Sequence, residues 1–418
     1  MGRRSVLRPV LLLPILACSR PRPVWEPGTA RGANLLLVTV DTLRADRLGF
    51  SGHPRARTPV LDDLAGRGVR FETALASAPV TLPSHATILT GLDPPHHGVR
   101  DNGLFALGGD QVTLAEILAG AGYETAAVVA AFVLDARYGL AQGFATYDDR
   151  MVPLEGASAA IAQRPANQVT DAALAWLDRR TDTGPFFLWV HYFDPHMPYE
   201  PPPPFGGATP EDRYDGEIAF VDAELGRLLR GLDGRGLGER TLLVFTSDHG
   251  EGLGEHGERT HSLLLYDSTM LVPLLFVPPG ERGRGRVFDD RAAGGIDVLP
   301  TALDLLGLPV PGGLDGESLA RPPRDPDRPL YLETFAPLHT CGWSPLHALR
   351  RLRDKFIEAP VPEYYDLRSD PWESRNLFPQ APPSARALAS HLARRMGEEP
   401  QVAHPAAGTA LAPEERAR

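Results

Sequence analysis

The chain has 418 residues, 43% of them hydrophobic and 7% aromatic, with a formal net charge of −11. Such a length can bury a large core, either as one α/β domain with an appendage or as two to three domains. The acidic balance excludes nonspecific nucleic-acid binding but not an anionic substrate, because a local site can oppose the global charge. Lys355 is the only lysine, so arginine carries nearly all the positive charge.

Arg3, Arg4 and Arg8 precede a short apolar run, Val10 to Ala17, which ends in Ile15-Leu16-Ala17-Cys18. The run is too short to span a bilayer as a helix, and a small residue before a cysteine matches a bacterial lipoprotein cleavage site. The expectation is a signal peptide over 1–18 with Cys18 lipidated, a plain secretory signal or an uncleaved anchor being the alternatives. A flexible tether follows over 19–33. The protein is then exported, periplasmic or on the outer surface, and held to a membrane through Cys18. Only Cys341 remains as a thiol in that case, so no intramolecular disulfide forms.

Asn34 to Val40 is a continuous apolar run with β-branched members, as in a strand buried on both faces of a parallel sheet. It delivers Asp41 beyond its carboxyl end, where ligands bind in open α/β sheets. Thr58 to Val69 is an amphipathic helix with Val60, Leu61, Leu64 and Ala65 on one face. Pro79 to Gly91 reads as a loop turning into a helix. Pro83 fits the first turn, Ser84 to Leu89 has helical spacing and Thr90-Gly91 ends the run. Thr81 therefore lies at or just before a helix N-terminus, where free N–H groups and the helix dipole favour an anion or an alkoxide. The alternative role for Thr81 is an N-cap.

Asp93 to Gly103 has loop composition. Thr113–Ala121 reads as a helix, Thr125–Phe132 as a buried strand and Asn167–Arg180 as a helix. The strand Phe186–Tyr192 opens into Phe193-Asp194-Pro195-His196 and a proline-rich loop. Asp212–Leu232 is a long helix, and the strand Thr241–Thr246 delivers Ser247-Asp248-His249-Gly250 and a glycine-rich loop to His261. Adjacent Asp and His at a strand end need a partner, and a metal is the simplest one. A strand over Val272–Val277 and a helix over Asp297–Leu306 close the large unit, 34–306. Short strands follow at Pro329–Glu333, His347–Arg353, Lys355–Glu358 and Glu363–Leu367, then a helix near Ser384–Met396. They form a small antiparallel subdomain, 307–396, with a disordered tail over 397–418.

Asp41, Thr81, Asp248 and His249, brought together, bind one divalent cation that activates the hydroxyl for transfer of a phosphoryl or sulfuryl group. With these residues in view the chain resembles the sulfatase family of the alkaline-phosphatase superfamily. The matches are Asp41-Thr42-Leu43-Arg44-Ala45-Asp46, Thr58-Pro59 to Phe71, the Thr81 segment, Asp194-Pro195-His196, Ser247-Asp248-His249-Gly250, Glu255-His256-Gly257 and Tyr365 to Leu377. The resemblance implies an α/β fold: an alkaline-phosphatase-like large mixed β-sheet flanked by helices, with a small C-terminal antiparallel sheet.

This sequence departs from the family's pattern at the nucleophile. Sulfatases carry Cys-x-Pro-x-Arg, or Ser first, and oxidise the first residue to formylglycine; here the frame is Thr81-Leu82-Pro83-Ser84-His85. Oxidising threonine would give a ketone, not an aldehyde. Lys355 is remote from the family's lysine positions, and His261 takes the place of one of them. Thr42 replaces a second metal aspartate and His249 an asparagine. A Thr nucleophile with Asp and Asp-His ligands is similar to nucleotide phosphodiesterases and phosphoethanolamine transferases of the same superfamily. An imidazole ligand also moves metal preference from the family's Ca²⁺ towards Zn²⁺ or Mn²⁺. One metal is expected; a second would draw on His196 and His261. In this reading Thr81 is the nucleophile, His196 and His261 contact the ester or protonate its leaving group, and His85 and Asn102 bind substrate. The substrate is a small-molecule, glycan or lipid ester, phosphate ahead of sulfate. A phosphoethanolamine-type transferase and a non-catalytic binding protein of sulfatase fold are the competing functions.

Overall fold

A run of apolar strands with no alternation requires cover on both faces of the sheet, and the computed structural model supplies it. The structure describes residues 25–151, 164–280, 285–380 and 382–398. The expected signal peptide, Cys18 and the tail beyond 398 lie outside the described residues.

Among the described residues, twelve strands form two sheets. They are β1 (Asn34–Val40), β2 (Val69–Leu75), β3 (Glu124–Val128), β4 (Thr146–Asp148), β5 (Phe186–Tyr192), β6 (Thr241–Ser247), β7 (Leu274–Val277), β8 (Arg286–Gly294), β9 (Leu330–Thr334), β10 (Leu346–Arg350), β11 (Asp354–Glu358) and β12 (Glu363–Asp366). The large sheet has the order β4-β3-β5-β1-β6-β7-β2-β8 and the small one β12-β11-β10-β9. β1 lies parallel between β5 and β6, whereas β7 runs antiparallel to β6 and β2. The helices are α1 (Pro59–Arg67), α2 (Thr81–Thr90), α3 (Pro94–His97), α4 (Leu114–Gly120), α5 (Ala166–Arg179), α6 (Pro210–Asp233), α7 (Asp267–Met270), α8 (Val298–Leu306), α9 (Ala336–Cys341) and α10 (Pro383–Glu398).

Alternate residues of β1 enter two separate cores. Leu35 and Leu37 pack with α2, α4 and α8, whereas Leu36, Val38 and Val40 pack with α1, α5 and α6. This sandwich puts the carboxyl ends of β1, β2, β5 and β6 on one edge of the sheet. Residues 41, 81, 196 and 248 all follow that edge.

Four features differ from the sequence reading. β2, β4 and β8 were not expected: β2 begins directly at Val69, where α1 has ended, and β4 has only three residues. β3 stops at Val128, short of Phe132. The tether is packed from Trp25 onward: this indole is 6% exposed and donates to Leu319 O at 2.9 Å, and Gly28 N and Ala30 N bond to Asp304 O and Leu305 O. Its aromatic and small residues give it a docking surface that composition alone obscured. Lys355 lies in the small sheet but ties the two units together. It is fully buried, donates to Leu265 O at 2.9 Å and pairs with Glu373 at 2.7 Å and Asp267 at 2.5 Å.

On α6, Glu217 is 3% exposed, accepts from Glu200 N at 2.6 Å through one oxygen and has no partner for the other. Burial, with Asp194 nearby, pushes its pKa from 4.5 up to about 9. A raised carboxyl pKa contributes stability that is complete at low pH and is lost as pH climbs to the folded value. Glu217→Gln removes this slope. Its melting temperature should gain on the parent's progressively between about pH 5 and 9; a constant difference across that range would contradict the assignment.

Candidate active site

The site begins with strand ends locked side by side. Register sets Thr39 opposite His191 and Val40 opposite both Tyr192 and Ser247. Ser247 Oγ lies 2.6 Å from both Val40 O and His249 O, with one proton to give to either, and accepts from Leu43 N at 3.0 Å. Between these strands the chain turns at Thr42, a β-branched residue at φ +53°. That conformation is costly for such a side chain and persists only where its surroundings impose it. Tyr214 OH donates to Thr42 O at 2.7 Å, and Thr42 N donates to Asp248 Oδ1 at 3.2 Å.

Thr81 is the first residue of α2, where it is 3% exposed. No side chain of the preceding residue caps this helix; instead Asn102 Oδ1 accepts from Leu82 N at 2.9 Å. Gly91 at φ +69° closes the other end. Thr81 Oγ1 stands 3.5 Å from His249 Nε2. His249 Nε2 is in turn 3.7 Å from Asp41 Oδ1 and 3.6 Å from Asp248 Oδ2. Its Nδ1 donates to Gly250 O at 2.9 Å, which leaves Nε2 facing the carboxylates. The structure therefore brings Asp41, Thr81, Asp248 and His249 together.

Both oxygens of Asp41 and Oδ2 of Asp248 are buried without a hydrogen-bond partner. One ligand atom from each of Asp41, Asp248 and His249 lies within 4.8 Å of the others. Buried carboxylates in this state require a cation, and two carboxylates with one imidazole and a hydroxyl suit a divalent ion. Burial and mutual repulsion push Asp41 and Asp248 above their usual range. For His249 burial pushes down, but the two carboxylates outweigh it and the net direction is up.

His196 and His261 reach the same cluster. His261 lies 4.5 Å from His249 and 5.0 Å from His196, ring centre to centre. His261 Nδ1 is 3.2 Å from Glu251 Oε1, and Tyr199 OH donates to Glu251 Oε2 at 3.0 Å. His196 stacks on Phe193 and donates from Nδ1 to Met197 O at 2.6 Å. Burial pushes both imidazoles below their usual range, and in each ring it is Nδ1 that faces an oxygen acceptor. Asn102 uses its oxygen as the helix cap, and its NH₂ is the part left for a ligand.

His85 corrects the sequence reading. It is fully buried and both ring nitrogens are engaged, Nδ1 with Thr81 O at 2.8 Å and Nε2 with Thr39 Oγ1 at 3.0 Å. It supports α2 from behind instead of meeting substrate. Two neighbours escaped the sequence reading. His191 is buried in β5, 3.6 Å from Asp41 Oδ2, and Glu251 orients His261. The signal for His191 was a lone imidazole inside an otherwise apolar strand.

The sulfatase family model matches residues 33–308, and the chain belongs to that family. It is similar to the ulvan-active sulfatase of Formosa agariphila, 28% identical over 429 residues that cover 90% of this chain and 83% of that protein. It is also similar to the arylsulfatase of Clostridium perfringens, 26% identical over 438 residues covering 82% of this chain and 90% of that one. The phosphonate monoester hydrolase of Agrobacterium radiobacter has the same fold, with a TM-score of 0.71, 24% identity, and 87% and 95% of the two chains covered. So does a protein solved with its substrate D-glucosamine-2-N,6-O-disulfate, at a TM-score of 0.73, 21% identity, and 88% and 98% coverage.

Because protons compete with a cation for Asp41, Asp248 and His249, all of whose pKa values are pushed up, binding should release protons and tighten as pH rises. Calorimetric titration with Zn²⁺ or Mn²⁺ in buffers of different ionisation enthalpy measures this. Binding without proton release, and equally tight at pH 5 and 8, would contradict the cluster as described.

Proposed function

We propose that the chain is a metal-dependent hydrolase that attacks ester substrates with Thr81 Oγ1, phosphate or phosphonate esters ahead of sulfate esters. The observation that carries this reading is the hydroxyl at the start of α2, 3.5 Å from His249 Nε2, in a cluster where both oxygens of Asp41 and one of Asp248 are buried without a partner. Asp41, Asp248, His249 and Thr81 would hold one divalent cation, Zn²⁺ or Mn²⁺ by the chemistry of the donor set. When bound, that ion lowers the pKa of the threonine hydroxyl and offsets charge on the attacked group.

In this reading the chain's own groups carry the remaining steps. Thr81 gives up its proton to solvent and its oxygen attacks phosphorus, the bond to the leaving oxygen breaks, and a phosphothreonine results. Water then releases the phosphoryl group. His261, held by Glu251, and His196 are neutral before substrate arrives; an anionic ester raises their pKa, and one of them passes a proton to the leaving oxygen. The NH₂ of Asn102 and the start of α2 lie where a developing negative charge needs donors.

A threonine ester has no route to the elimination that a formylglycine hydrate offers, which is why phosphoryl esters lead here. Sulfate esters form the second reading, because the curated relatives named above are sulfatases. The ulvan-active relative and the structure solved with a disulfated glucosamine supply a glycan class, so a sulfated or analogous phosphorylated glycan is the candidate substrate. A cleft of about 860 Å³ opens beside the site, lined by Met197, Tyr199, Arg213 and Arg259, and gives the leaving group room. Export and a lipid anchor on Cys18 fit an enzyme that meets such polymers outside the cytoplasm.

Thr81→Ala should abolish turnover of aryl phosphate, phosphonate and sulfate esters while leaving metal affinity within several-fold of the parent. Retained activity would refute the nucleophile. His261→Ala should slow esters with poor leaving groups by about 10²–10⁴-fold and nitrophenyl esters far less. Equal losses for both would remove His261 as the proton donor.

A further inference from the structure

Behind the cluster lie two histidines that no step above uses as an acid, base or ligand. One nitrogen from each of His85 and His191 comes within 4.8 Å of an Asp248 oxygen, and all three residues are buried. Taken by distance alone, this is a second cation pocket. The partners of each ring say otherwise.

For His85 the chain of bonds has only one polarity. Thr81 O is a carbonyl and can only accept, so the proton is on Nδ1, at 2.8 Å. A neutral ring then presents a lone pair at Nε2, which takes the Thr39 hydroxyl proton at 3.0 Å. Thr39 Oγ1 in turn accepts from Trp189 Nε1 at 2.9 Å, and an indole can only donate. The order Trp189 to Thr39 to His85 to Thr81 is thus fixed from end to end. For His191 the polarity is reversed. The backbone N–H of Ala130 donates to Nδ1 at 3.3 Å, so the proton sits on Nε2. That nitrogen lies 3.6 Å from Asp41 Oδ2, beyond hydrogen-bond length, and neither atom has a hydrogen-bond partner.

We infer that His85 and His191 are positioning residues with opposite, fixed tautomers, His85 anchoring the first turn of α2 that carries Thr81 and His191 orienting the Asp41 carboxylate, and that neither lends a lone pair to a cation. The inference rests on the reading of Asp41 and Asp248 as cation ligands; only the effect of His85 on kcat rests also on Thr81 as the nucleophile, and the tautomers do not. It assigns the two rings different consequences. His191 acts through Asp41 and so tunes metal affinity. His85 acts through the Thr81 backbone and so tunes the chemical step.

The test uses the full chain, metal-free and loaded with Zn²⁺. Ring ¹⁵N shifts should show a proton on Nδ1 of His85 and on Nε2 of His191 in both states, while the His249 signal moves on loading. Metal analysis should give one ion per chain. His191→Leu should weaken Zn²⁺ binding about tenfold, with His191→Gln, which keeps a donor near the Nε2 position, recovering most of it. His85→Ala and Thr39→Val should lower kcat about tenfold with little change in KM or Zn²⁺ affinity, and His85→Asn, which keeps the Nδ1-type donor, should recover most of the loss. Loss of the Nδ1 proton of His85 or of the Nε2 proton of His191 on loading, or His85→Asn no better than His85→Ala in kcat, would overturn the inference. The ¹⁵N and metal measurements on the unmodified chain decide the matter even where a variant fails to fold. They also stand apart from the proposed function, since a different nucleophile would leave them unchanged.

Discussion

Two carboxylates, Asp41 and Asp248, sit out of reach of water at the end of a parallel sheet, and the rest of the site follows from that constraint. Among the described residues, the nitrogen groups within ion-pair range of them are imidazoles: His191 and His249 for Asp41, His85 and His249 for Asp248. Burial pushes both acids toward the neutral form, and each is a like charge beside the other. A fold gains nothing from holding two such groups together unless something positive joins them. The strain at Thr42 lies just past the Val40–Ser247 pair that ends the β1–β6 ladder, where its backbone N–H is held on Asp248 Oδ1.

The architecture explains how such a cluster is rigid. Each contributing residue leaves a strand or begins a helix, and each strand is buried on both faces. Ser247 ties the turn after β1 to the turn after β6, and Asn102 caps the helix that carries Thr81. The small sheet contributes from a distance. Lys355 joins it to the α7 segment, and Thr334 Oγ1 donates to Ser262 O, beside His261. The two units therefore share responsibility for where His261 stands.

Much of this was legible in the sequence, for identifiable reasons. β1, β5 and β6 are unbroken apolar runs, which few other structures tolerate, and the polar residues just past their ends name the site directly. Asp41, Asp248 and His249 were read in this way, and Thr81 from the loop that turns into a helix over 79–91. β2, β4 and β8 were not. β4 is three residues long, and β2 and β8 carry charged residues such as Arg70, Glu72, Asp289 and Asp290 that blur the pattern. The packed segment from Trp25 was hidden by its proline and glycine content. His85 was misplaced because its position relative to Thr81 indicated proximity, whereas only the partners of its two nitrogens reveal that it faces Thr39 and the Thr81 carbonyl.

The claim on which the account turns is covalent participation of Thr81. Acid quenching of the Zn²⁺- or Mn²⁺-loaded enzyme during turnover of a slow aryl phosphate, followed by peptide mapping, observes it directly. The account predicts a phosphoryl group on Thr81 within the 79–91 segment, present only with both metal and substrate. An unmodified Thr81 alongside a label on another residue, under conditions where an intermediate accumulates, would contradict it.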